Sequence, residues 1–155
     1  MTIHPARTAA GLALGAAGFV VGVAALAVIL ARLLVIAGMP IQPGDLATLE
    51  DLVAVLPFVV GFSVANLLAA TGLLLGTDRA DRLAITVSGL GIVFGSFGLF
   101  LMVAGRDPFA SARSARGYVD GVEIVATFTV VYLVVLGLLA VVRQPIRRRI
   151  LRGAA

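Results

Sequence analysis

Apolar positions along the chain fall into four long blocks, and polar ones gather in the breaks between them. The blocks run from about Thr8 to Ala37, Leu49 to Leu75, Leu83 to Ala104 and Tyr118 to Val142. Each is long enough to carry a helix across a hydrocarbon core of ~30 Å. Lipid offers backbone amides no partners, so a crossing segment must satisfy its own, as a helix does. The pattern predicts an all-α integral membrane protein: one four-transmembrane-helix bundle over residues 1–155. The first block far exceeds the ~7–15 apolar residues of a signal-peptide core, so it reads as a retained span.

The breaks carry their own signals. Gly38 opens the first loop, Gly76 suits the position just after a helix end, and Asp78 suits a cap on the third helix. Thr48 and Asp51 resemble an N-terminal capping pair for the second. The break from Thr77 to Arg82 is short enough to force spans 2 and 3 into an antiparallel hairpin. Pro57 predicts a weakened turn within span 2, and Pro145 predicts an interruption after span 4. Beyond it Ile146–Arg152 reads as a short interfacial segment within a basic cytoplasmic tail, residues 143–155.

Charge sets the expected orientation. Arg7, Arg79, Arg82 and the five tail arginines lie on one side of the predicted topology, against Arg106, Arg113 and Arg116 on the other. Eight against three favours both termini inside, N-in/C-in, in a multi-pass protein of the plasma membrane. In the tail, Arg143, Arg147, Arg148, Arg149 and Arg152 are positioned for anionic lipid headgroups. The formal net charge of +4 therefore points to lipid and topology, not to nucleic acid.

Two seams of small residues stand out. Gly11, Gly15, Gly18 and Gly22 recur at spacings of four and three in span 1, and Gly91, Gly95 and Gly98 do so after Ser88 in span 3. Such spacings share one helix face and permit close backbone approach in lipid. The two seams run in the same direction, so they can face each other or each face a neighbouring subunit. A shift of 73 residues also lays Gly18 on Gly91 and Gly22 on Gly95, the trace of a possible duplication of spans 1–2 as 3–4.

Few polar groups lie within the blocks. Arg32 in span 1 and Asp120 and Glu123 in span 4 fall near one side of the membrane, where an isolated charge costs about 2.5–3.5 kcal/mol. Pairing of Arg32 with either carboxylate is one remedy; snorkelling of Arg32 to the surface is the other. Asn66, with Ser63 and Thr127, is a mid-membrane polar group that needs interhelical partners, for which Tyr132 and Thr129 are candidates.

Candidate chemistry is sparse. The chain has no cysteine and one histidine, His4, which excludes thiolate catalysis, disulfides and thiolate metal sites. No nucleotide-binding or zinc-hydrolase motif is present. The sequence thus predicts a non-enzymatic membrane protein without cofactor or metal. Its role would be a scaffold or accessory subunit, self-associating or bound to a larger membrane complex. The alternative is a small transporter or channel using Arg32, Asp120, Glu123 and Asn66.

Overall fold

A computed structural model describes residues 4–40, 43–104 and 112–153, with side chains placed at 4–40, 49–77, 79–100, 104 and 122–142. It is all-helical: α1 (Pro5–Ile36), α2 (Pro43–Leu74), α3 (Asp78–Ala104) and α4 (Ala112–Gly153). All four are long and apolar enough to cross a membrane.

The helices outrun the apolar blocks. α2 starts at Pro43, six residues before the predicted Leu49, so Thr48 and Asp51 lie inside the helix and do not cap it. α3 starts at Asp78, which leaves Thr77 at the cap position. α4 starts at Ala112 and continues through Pro145 to Gly153, where an interruption was expected. Hydropathy reports how much of a helix lipid covers, whereas helicity runs on into water wherever propensity allows. Proline removes one backbone bond, and long flanking turns hold the helix together around it. Pro57 likewise lies within α2 without ending it.

The helix ends are set by local chemistry. His4 caps α1, its ring Nδ1 accepting from the Ala6 amide at 3.3 Å, and Pro5 occupies the first helical position. α1 and α2 close with the same double bond. Gly38 N–H donates to Val35 and Met39 N–H to Leu34; Gly76 N–H donates to Leu73 and Thr77 N–H to Gly72. Gly38 and Gly76 are the described residues with positive φ, at 87° and 76°. A side chain at either would be strained, because only glycine enters this region without cost.

Each helix packs on its neighbours in chain order and α4 closes back on α1, giving an antiparallel ring; α1 against α2 is the most extensive interface. Burial is concentrated at one end. Ala10, Leu14 and Ala17 of α1 meet Ala69, Ala70 and Leu73 of α2, Ala80 and Ala84 of α3, and Tyr132, Val135 and Leu139 of α4. This end holds the α1 N-terminus and the tight α2–α3 turn. Toward the other end the described side chains face outward, among them Leu30 and Leu33 of α1, Leu52 and Val55 of α2, and Phe97 and Phe100 of α3.

The two hairpins do not share a register. Gly18 abuts Asn66, but its counterpart 73 residues on, Gly91, abuts Tyr132. Tyr132 corresponds to Val59, seven residues from Asn66, so a duplication does not describe the packing.

Glycines at the turn and in open helix surface make opposite predictions. Gly76→Ala is expected to lower stability by about 1 kcal/mol through strain at positive φ. Gly89→Ala, where an added Cβ meets nothing within 4 Å, is expected to be neutral or to stabilise by up to ~1 kcal/mol through helix propensity. Unfolding in mixed micelles against rising SDS reads both.

Candidate functional site

The polar groups of the bundle interior converge on one layer. Asn66 of α2 is fully buried, and its Nδ2 donates to the Phe62 carbonyl one turn back at 2.8 Å. Its Oδ1 accepts from the Tyr132 hydroxyl of α4 at 3.2 Å, a bond that crosses the bundle. Ser63, one turn from Asn66, donates to the Gly18 carbonyl of α1 at 2.7 Å. One amide, one phenol and one hydroxyl thereby tie three helices together. Of the two expected partners of Asn66, Tyr132 fills the role, while Thr129 donates to Val125 within its own helix.

Glycines make the approach possible. A Cβ on Gly18 would lie 2.9 Å from the Asn66 Cβ and 3.1 Å from the Ser63 carbonyl, and one on Gly22 would lie 2.9 Å from the Ser63 hydroxyl. Gly11 sits against Leu74 and the Ala70 carbonyl, and Gly15 against Ala70. On α3, Gly91 is covered by the Tyr132 ring, Gly95 by Thr129 and Gly98 by Val125. The span 1 seam therefore faces α2 and the span 3 seam faces α4. Neither faces the other, because each hairpin brings its own two helices together first.

Counting outward from this layer locates the charges. At 1.5 Å per residue, Arg82 lies about 13 Å below it along α3 and Glu123 about 13 Å above it along α4. Arg7 is about 16 Å below and Arg32 about 21 Å above. The charge-free slab is thus roughly 27 Å thick, close to the ~30 Å of a hydrocarbon core, with the Asn66–Tyr132 bond at its centre.

Of the expected charge cluster, Arg32 and Glu123 have described side chains. Among the described residues no ion pair joins Arg32 to Glu123; the sole ion pair is between Arg7 and Asp81. Arg32 is half-buried and Glu123 exposed. They differ in height by about 8 Å, because Arg32 is fourteen residues from Gly18 and Glu123 nine from Tyr132. The side chains of Asp120 and of tail residues Arg143, Arg147, Arg148, Arg149 and Arg152 lie outside the described ones. Thr127, assigned to the same polar set, donates to the Glu123 carbonyl at 2.7 Å.

Two features escaped the sequence reading. Arg7 reaches across to the α2–α3 turn, where it pairs with Asp81 at 3.0 Å and donates to the Thr77 carbonyl. Its side chain is only 14% exposed and that of Asp81 21%, so this contact is a structural clamp more than a surface charge. Ser88 is fully buried, and its hydroxyl has no partner among the described residues. No local signal marks either one, since the partners are far apart in sequence.

Cavities complete the picture. An aromatic pocket of about 250 Å³ opens above the polar layer, walled by Phe58, Phe62, Phe94, Phe128 and Tyr132. Phe58 and Phe94 meet edge to face at 4.9 Å, and Phe62 and Tyr132 at 5.8 Å. On the outer surface, α1 and α4 leave an open groove in two joined parts of about 300 and 410 Å³. Phe128 stands between the groove and the inner pocket. Among the described residues no three histidine, aspartate or glutamate groups come together as metal ligands.

Comparison with protein-family models, curated proteins and solved structures finds no match.

The cross-bundle bond is measurable by a double-mutant cycle of Tyr132→Phe and Asn66→Leu. The expected coupling is about 0.6 kcal/mol, up to ~1.7, the range found for hydrogen bonds between membrane helices. A parallel cycle of Arg7→Gln and Asp81→Asn is expected to give up to about 1 kcal/mol.

Proposed function

We propose that this chain is a non-catalytic integral membrane protein that acts by association within the bilayer, as a scaffold or accessory subunit of a membrane assembly. The observation that carries this reading is where the interior polar groups are spent. Tyr132 of α4 is bonded to Asn66 of α2, and Ser63 of α2 to the Gly18 carbonyl of α1, across the centre of the charge-free slab. A group held in a helix–helix bond has little capacity left for a passing solute. The pockets above and beside this layer are walled by apolar side chains.

One further feature supports association. The close-packed end leaves long apolar surfaces on α1, α2 and α3 uncovered toward the other end. We place both termini in the cytoplasm of a cell whose plasma membrane holds the bundle, on the count of eight arginines against three. The arginine-rich C-terminal end of α4 then lies against anionic headgroups, each basic residue contributing about 1 kcal/mol.

Two measurements test the proposal. Photobleaching of singly labelled full-length chain in native-membrane vesicles is expected to show two or more steps per spot, or one step in a spot that also carries a fixed stoichiometry of another subunit. Ion and solute flux into proteoliposomes is expected to match empty vesicles, with Asn66→Leu unchanged. Solitary chains with flux above the empty control, abolished by Asn66→Leu, would replace the scaffold by a transporter.

A further inference from the structure

We infer that the groove between α1 and α4 holds the acyl chain of a membrane lipid whose headgroup ends in a primary ammonium, with Glu123 as its counter-charge. The inference is independent of the association proposed above and rests on a different surface.

The groove has the shape of a lipid tail and the chemistry of a headgroup site at one end. Its α1 wall is built from Ala13, Ala16 and Val20, and its α4 wall from Thr127, Phe128 and Val131. Alanines leave the room, and Phe128 and Val131 supply apolar contact. From Glu123 to Val131 is eight residues, so the cleft runs about 12 Å along the helix axis. Glu123 lines the upper part of the same groove, beside Val20 and Ile124.

Position and hydrogen-bonding capacity select the headgroup. Glu123 stands about 13 Å from the central polar layer, at the edge of the charge-free slab where headgroups begin. It is exposed and has no ion-pair partner among the described residues. The neighbouring hydroxyl of Thr127 is already committed to the Glu123 carbonyl. Among the described residues that line the groove, Glu123 supplies the one charge, and it is a carboxylate that can only accept. An occupant must bring its own donors and a positive charge, and an ammonium brings three N–H groups. An anionic headgroup would be repelled by the same carboxylate. A cationic headgroup at this level places a counter-charge beside an exposed carboxylate that has none among the described residues.

Native mass spectrometry of the full chain released from nanodiscs of equimolar phosphatidylethanolamine and phosphatidylglycerol, matched in acyl chains, provides the test. Glu123→Gln is expected to lower the ratio of retained ethanolamine to glycerol lipid by about two- to fivefold, the worth of one partly exposed ion pair. Glu123→Asp is expected to keep the wild-type ratio. Ala16→Phe fills the cleft from an exposed position, leaves the core untouched, and is expected to reduce the number of retained lipids of both kinds. A ratio unchanged in Glu123→Gln, or undiminished retention in Ala16→Phe, overturns the inference. So does a change of oligomeric state in Glu123→Gln at constant lipid ratio, which would assign the groove to a second copy of the chain.

Discussion

The hydrogen bond from Tyr132 to Asn66 is the constraint around which this bundle is arranged. A buried amide at the centre of a hydrocarbon slab has no water to turn to, and the cost of leaving it unpaired exceeds the net worth of most contacts. Satisfying it requires α4 to reach α2 across the bundle. That in turn requires α3 to stand close beneath the phenol ring, which Gly91 permits, and α1 to lie flat on α2, which Gly18 permits. The small residues and the polar layer are thus one design. Either without the other would leave a void or an orphaned group.

From that layer the remainder follows by distance. Charges begin about 13 Å away in both directions, which is as near as a ~30 Å core lets them come. On the close-packed side Arg7, about 16 Å out, is tied to Asp81 and to the Thr77 carbonyl. On the other side Glu123 is exposed and Arg32 sits higher, at headgroup level. Counted from the layer, Arg32 and Glu123 therefore both lie outside the charge-free slab.

The four spans were legible because a long apolar run has one physical meaning in lipid, and Gly76 was legible because helix ends ask for positive φ; Gly38 plays the same part at the end of α1. Helix starts were less so: Pro43 and Ala112 precede the apolar blocks, and hydropathy does not register a helix that continues into water. Asn66 announced itself as a polar residue in an apolar run, and Tyr132 as a partner. The height of Arg32 above Glu123, about 8 Å, has no signature in the sequence, because it depends on how far α1 runs on above the layer. Arg7 with Asp81, separated by 74 positions, could not be paired from sequence at all. Each looks like an ordinary topology charge until the turn folds beneath it.

The Arg7 clamp has a consequence for biogenesis. Its counterparts, Thr77 and Asp81, are made some seventy residues after it, so the first helix enters the bilayer with its N-terminal anchor point not yet synthesised. Only when the ribosome has delivered the tight turn and the start of α3 does the latch close. Membrane insertion and tertiary locking are thereby separate events in time, and the opening helix waits, threaded but unfastened, for the hairpin that will hold it.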